Sequence, residues 1–322
     1  MKYLEKILAL LIAISILSCN NNTNTNQTAS SEIKDYKIIT SDIDTFWTSF
    51  DSLENTEDSV QVIQQLYLDK ASEGLIEFLK VRPMFTAEEY VKAISSYPKF
   101  WQSVRHCTEN IKNETGKISN AFIEIKKIYP DFHIPDICFA ISPVGTGGTT
   151  SENGSMLLIG SEIVSADTTV DITEFKNILK DILGTTDIQS YVIHEAIHTA
   201  QKPETEPGVL TETLMEGSAE FISHYILKRQ FRTKKYDYGY ENECEIWNEI
   251  KIDIKDNANF DKWFGNYTNN VHPDMGYYIG YRIVESYFNH QSDKEKALVD
   301  IIKLSNPEDI LIKSKYNGNC FD

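Results

Sequence analysis

The segment His194-Glu195-Ala196-Ile197-His198 has the residue types and spacing for metal-assisted hydrolysis. Residues four apart on a helix share a face, so two imidazoles at this spacing converge on one ion. Zinc accepts such nitrogen donors, and in a catalytic site it takes three protein ligands and leaves a position for water. Glu195 is expected over that open position, taking a proton from the water and returning it to a leaving amine. Only 7 histidines occur in 322 residues, so the spacing is a poor candidate for accident. The flanks, Tyr191-Val192-Ile193 and Thr199-Ala200, carry no charge, as a metal-bearing helix packed between two lobes requires.

A third His, Asp or Glu must then arrive from elsewhere. Downstream, Leu214-Met215-Glu216-Gly217-Ser218-Ala219-Glu220-Phe221 offers two acids four residues apart. On this segment the chain resembles the gluzincin branch of the zincin metallopeptidases, and the aminopeptidase N family carries a similar Glu-Gly-x-Ala stretch at nearly this distance from its HExxH. The resemblance implies zinc (Zn2+) on His194, His198 and Glu216. It also implies that Glu220 fixes the tautomer and ring orientation of one of those histidines, and that Gly217 lets the glutamate helix approach the metal helix. The metzincin continuation is absent, since it needs Gly at position 201 and His at 204, where Gln201 and Glu204 stand. The plain alternative is that Glu212, Glu216 and Glu220 form a solvated acidic stripe. Three stacked like charges destabilise an isolated helix, and a cation would relieve them.

The elements that position these residues sit in a chain long enough for one large or two ordinary domains. Residues 1–18 place Lys2 and Lys6 ahead of an apolar run from Ile7 to Leu17 and read as a signal peptide. Cys19 follows Ile16-Leu17-Ser18, a match to the bacterial lipobox, and is expected to be diacylated and to tether the mature chain to a membrane, the outer one in such lipoproteins. Residues 19–32, rich in Asn, Thr and Ser, read as a flexible linker. The formal charge is −17; losing Lys2, Glu5 and Lys6 removes a net +1 and leaves −18. That balance disfavours nucleic acid as a partner. Cys107, Cys138, Cys244 and Cys320 are an even number in an exported chain, with no pairing assignable.

From Asp42 to Tyr129 the apolar spacing is helical, as in Val60-Ile63-Leu66-Tyr67 and Tyr90-Val91-Ile94, with expected caps at Ser41, Asp58 and Thr86. Phe46, Trp47, Phe50, Tyr97, Phe100 and Trp101 read as core of this helical lobe. Ile134 to Ser142 and Ser155 to Gly160 read as strands bracketing the glycine-rich Pro143-Val144-Gly145-Thr146-Gly147-Gly148. No Gly-Lys-Ser/Thr ending makes that loop a phosphate cradle. Zincins place an edge strand above the metal helix to hold substrate in extended form, and this loop or the strand from Met156 to Ile159 is the expected rim. Glu162 is a candidate functional acid, with an exposed acid at a strand end as the plainer reading. Helices are predicted over 211–228, 242–254 and 276–288.

The last of these opens on Gly276-Tyr277-Tyr278-Ile279-Gly280-Tyr281. Zincins bring a Tyr or His from the C-terminal lobe to the oxyanion, which makes Tyr277 the first candidate, Tyr281 the second and His272 the third. Tyrosines packing a helix contact, with glycines allowing close approach, explain the motif equally well.

The expected fold is α+β, mostly α, and zincin-like: a helical N-terminal lobe over 33–130, then a metallopeptidase domain over 131–322 with a small β-sheet over the HExxH helix and a helical C-terminal lobe. The motif order also resembles an uncharacterised group of bacterial proteins described as zinc-dependent proteases, many of them lipoproteins of Bacteroidota. That resemblance covers roughly Ile118 to Phe288 and is strongest in the HExxH and Glu-Gly motifs. The expected activity is a lipid-anchored zinc metallopeptidase acting on a peptide or protein substrate. The rival is a non-catalytic envelope or gliding-related lipoprotein that keeps a zincin scaffold. An intact Glu195 argues against the rival, and the absence of a recognisable propeptide argues for it. Hydrolysis of a non-peptide bond is a third reading.

Overall fold

Residues 36–175, 183, 187–229, 234–265 and 274–320 are described by the computed structural model. The expected signal peptide and linker, Cys19 and His272 lie outside the described residues. A four-stranded sheet runs in the order β1 (Ile38–Ile39), β2 (Asp136–Ala140), β4 (Met156–Gly160), β3 (Gly148–Thr150). Strand β1 is parallel to β2 and β2 to β4, with Cys138 opposite Leu158, whereas β3 is antiparallel to β4, with Thr149 opposite Leu158. Ile137-Cys138-Phe139-Ala140 and Met156-Leu157-Leu158-Ile159 are buried throughout, which is why these strands read as continuous apolar runs without alternation. The sequence predicted β2 and β4. It missed β1 and β3, which are two and three residues long and too short to show a period.

Before β2 come α1 (Ser41–Asp51), α2 (Ser59–Leu66), α3 (Glu73–Val81), α4 (Ala87–Ser96) and α5 (Pro98–Ile128). Asp58 caps α2 by accepting from the Gln61 N–H at 2.9 Å, and Pro98 occupies the first turn of α5, where no N–H is needed. Phe46, Trp47, Phe100 and Trp101 are buried as expected. Their indoles are satisfied inside the core: Trp47 Nε1 donates to Thr108 Oγ1 at 2.8 Å, and Trp101 Nε1 to the Ala93 carbonyl at 3.1 Å.

After β4 the chain forms α6 (Ser161–Val164), α7 (Ile188–Ala200), α8 (Val209–Leu227), α9 (Lys234–Glu241), α10 (Glu243–Asp256), α11 (Phe260–Trp263), α12 (Met275–His290), α13 (Lys294–Lys303) and α14 (Pro307–Ser314). Helices α8, α10 and α12 are the three predicted ones. The described residues thus form a mostly helical α+β fold. Among them no helix is long and apolar enough to cross a membrane.

Two expectations change. Glu162 is fully buried, not exposed: α6 starts where β4 ends and turns the side chain back onto Ser142, whose N–H it accepts at 2.9 Å and whose hydroxyl it also accepts. Gly217 serves α12, not the HExxH helix α7. A β-carbon at Gly217 would lie 2.0 Å from the Gly280 carbonyl carbon, and one at Gly280 would lie 1.8 Å from the Thr213 oxygen, so α8 and α12 touch backbone to backbone. Cys244 and Cys320 form a disulfide across 76 residues, while Cys107 and Cys138 are free and buried. Closing a loop of that length contributes about 4.5 kcal/mol on the chain-entropy account.

Candidate functional site

Helix α7 buries Val192, Ile193, Ala196 and Ile197, a stripe at helical spacing that leaves His194, Glu195 and His198 half-buried on the other side. Its first turn is fixed by Asp187, which accepts from the Ser190 N–H at 2.9 Å. Arg229, just past α8, donates to both Asp187 oxygens at 2.8 Å. The two helices run antiparallel. Ser190 meets Ser223 at one end, hydroxyl to hydroxyl at 2.7 Å, and the Gln201 side chain donates to the Met215 carbonyl at 2.8 Å at the other. Glu216 therefore faces the histidine pair.

Three donor atoms converge. His194 Nε2 is 2.9 Å from Glu216 Oε2, His198 Nε2 is 3.4 Å from the same oxygen, and the two Nε2 atoms are 3.1 Å apart. Zinc bonds of about 2.0–2.1 Å in tetrahedral array set neighbouring ligand atoms about 3.3 Å apart. The triangle matches that size, so His194, His198 and Glu216 fit the ion. Bound there, zinc would supply a Lewis acid and an activated water.

Charge draws the three side chains together. Burial pushes the Glu216 carboxyl up, but hydrogen bonds from His194 and His198 outweigh it and hold Glu216 well below the usual carboxylate range. Burial pushes His198 down, yet Glu216 wins again and raises it to about 9. Glu195 also adds negative charge at His198. Glu212 moves the other way, pushed up by burial and by the Glu216 carboxylate. The acids are not a solvated stripe: the side chains of Glu216 and Glu220 are 12% and 17% exposed.

The residue that orients a histidine is not the expected one. Glu220 lies one turn past Glu216, but its hydrogen bonds come from Lys235 Nζ at 2.9 Å and the Tyr236 hydroxyl at 2.8 Å. Burial raises its carboxyl, and the charges of Lys235 and His194, with the Lys235 hydrogen bond, pull it down to about 2. Glu220 thus acts on His194 through charge. His198 is oriented by Gln201, whose Oε1 lies 2.8 Å from Nδ1. Because the Gln201 amide nitrogen is committed to the Met215 carbonyl, its oxygen must face the ring and accept from Nδ1–H. That fixes the tautomer with the Nε2 lone pair toward the triangle.

Of the oxyanion candidates, Tyr277 is the one beside the triangle: its ring is parallel to that of His194, with centroids 6.3 Å apart. Lys235 Nζ stands 4.5 Å over the Tyr277 ring. Tyr281 points elsewhere, its hydroxyl donating to Glu285 and its ring against His224 and Tyr236. The glycine-rich loop does reach α7. A β-carbon at Gly147 would lie 2.8 Å from the Tyr191 hydroxyl oxygen, so the loop rests directly on that side chain. Sequence reasoning missed Gln201 and Lys235. Neither has a sequence signal of its own, since Gln201 acts only with the Met215 carbonyl of α8 beside it and Lys235 only with Glu220.

A mostly helical α+β chain that gathers two histidines and a glutamate at one point defines a class, a protein with a zinc-sized donor set. Its family is narrower. The model of a lipoprotein family, described as gliding motility protein GldB, matches residues 23–318, and the chain belongs to that family. No curated protein and no solved structure matches. The family match supports the cell-envelope lipoprotein expected from Cys19 and adds nothing in favour of a peptidase.

Proposed function

We propose that this protein is an envelope lipoprotein of the gliding apparatus, attached to the outer membrane through Cys19, with its globular part organised around zinc on His194, His198 and Glu216. The carrying observation is the family match over 23–318, a span that contains all three donors. In this reading the fold is a zincin-like scaffold. Its antiparallel edge strand β3 beside β4 and the HExxH helix that follows are what such a scaffold requires. The ion's role is to lock α7 onto α8, and the protein works by binding other envelope components.

A second reading, zinc metallopeptidase, is favoured by Glu195. A scaffold has no need for a half-buried carboxylate whose charge reaches His198. In that reading Glu195 accepts a proton from the attacking water and returns it to the leaving amine. Tyr277 would turn its hydroxyl to the developing oxyanion. A peptide or protein would be the substrate.

One experiment separates them: gliding speed and zinc content in strains carrying His194→Ala or Glu195→Gln. The scaffold reading expects loss of zinc and gliding with His194→Ala, but normal gliding and full zinc with Glu195→Gln. The peptidase reading expects both strains to stop, the second while retaining zinc and losing hydrolysis of a peptide library. Normal gliding with His194→Ala sinks both.

A further inference from the structure

Helix α5 carries a second group of metal-ligand side chains that the site above does not use. His106 and Cys107 are neighbours in sequence, and adjacent helical residues ordinarily diverge. Here the imidazole bends across, so that Nε2 lies 3.3 Å from the Cys107 sulfur. Asp167, on the segment after α6, completes the group: one ligand atom from each of His106, Cys107 and Asp167 lies within 4.8 Å of the others. Thr169 adds a hydroxyl 3.1 Å from His106 Nε2. The sulfur is buried, while His106 and Asp167 are exposed, so an ion can enter and keep a water.

We infer that His106, Cys107 and Asp167 form a second, thiolate-containing site for a divalent transition ion of the zinc class. The donor chemistry selects the ion. Sulfur, imidazole nitrogen and carboxylate oxygen are the three ligand types zinc accepts, whereas calcium and magnesium take oxygen. The site shares no residue with His194, His198 and Glu216, and it stands whether or not that centre is catalytic.

The position gives such an ion a structural role. The segment from Asp167 to Glu174 runs antiparallel along the first half of α5. Asp171 N–H donates to Ser103 Oγ at 2.9 Å, and Glu174 accepts from the Lys99 and Phe100 N–H groups at 2.9 and 3.1 Å. An ion at His106, Cys107 and Asp167 would add a further tie between α5 and this strap, beside the Thr169 contact to His106, and the strap lies between the sheet and α7 in the chain.

Cobalt(II) tests the inference on the detergent-solubilised full chain, stripped of metal with chelator. A thiolate-to-cobalt charge-transfer band should appear on titration, since the His194 centre has no sulfur. Cys107→Ser should abolish the band, and Cys138→Ser should keep it. His106→Ala and Asp167→Asn, at exposed positions, should each weaken cobalt binding at this site by at least the roughly 10- to 100-fold that loss of an outer-shell partner costs. The His194→Ala/His198→Ala double variant should retain the band in full. Absence of the band in the wild type overturns the site, as does its survival in Cys107→Ser or its indifference to both exposed substitutions.

Discussion

Gln201 holds His198 by accepting from its Nδ1–H at 2.8 Å while donating to the Met215 carbonyl at 2.8 Å. The two bonds make one side chain both a tie between α7 and α8 and the device that aims His198 Nε2 at His194 and Glu216. Gln201→Leu should therefore weaken zinc binding by about 10- to 100-fold. Gln201→Glu restores an acceptor for the ring and should recover most of the loss. Competition against a chromophoric chelator reads both, and equal affinities for wild type and Gln201→Leu would exclude the orienting role.

Glu216 and Glu220 occupy one face of α8 and part company through their partners. Glu216 meets both histidines, while Glu220 meets Lys235 and Tyr236. Glu216→Gln should lose zinc to a mild chelator. Glu220→Gln should keep zinc but lower stability by about 1–3 kcal/mol, because the partly buried Lys235 ammonium loses its counter-charge. Denaturant melts beside zinc analysis check the pair, and zinc loss confined to Glu220→Gln would shift the ligand set by one helical turn.

The His198–Glu216 pair also sets a pH dependence. With His198 raised to about 9 from an ordinary 6.5, the metal-free protein gains stability from this group that is fully present below about pH 6.5 and is lost as pH rises to about 9. Zinc needs the neutral ring, so its binding must expel that proton, and affinity should climb about tenfold per pH unit over the same window. The stabilisation that zinc confers should therefore grow from pH 6.5 to 9. Calorimetry in buffers of different ionisation enthalpy measures the expelled proton, and proton-neutral binding at pH 7 would contradict the charged pair.

These features differ in how far they could be read from sequence. His194, Glu195 and His198 were legible because i, i+4 spacing on one helix is local geometry, and Glu216 through a motif resemblance. Gln201 was not, since its role needs the Met215 carbonyl brought up by another helix. Gly217 announced a close approach, but the expected partner was α7 and the actual one is α12, because a glycine marks where backbones meet and leaves the second backbone to the tertiary fold. Strand β3 has three residues and exists only through pairing with β4. Helices α10 and α12 were readable from apolar residues at helical spacing, whereas α8, buried nearly all round, was marked by the Pro203 to Gly208 loop before it and the basic residues at its end.

Glu162 shows the same limit, and its burial has a measurable consequence. A carboxylate following a strand resembles a surface acid until the next helix folds it inward. Burial raises its carboxyl from an ordinary 4.5 to about 7, against the lowering effect of the Ser142 hydroxyl and N–H. The folded state holds the proton more tightly than the unfolded chain, so the stability it contributes is complete below about pH 4.5 and disappears as pH rises through 7. A difference of 2.5 pH units from those two values corresponds to about 3 kcal/mol. Glu162→Gln removes the titration while leaving an oxygen to accept the Ser142 N–H and an amide N–H to meet its hydroxyl. The variant should match the wild type near pH 4.5 and exceed it by up to that amount above pH 7.5. Urea melts of both proteins from pH 4.5 to 8 test this, and parallel curves would mean that Glu162 does not carry its proton in the folded state. Gly145 N–H donates to Ser142 Oγ at 3.2 Å, so ionisation of Glu162 should also loosen the glycine-rich loop resting on Tyr191. Amide exchange at Gly147 and Gly148 should then accelerate between pH 6 and 8, beyond the intrinsic base-catalysed rate, in the wild type but not in Glu162→Gln.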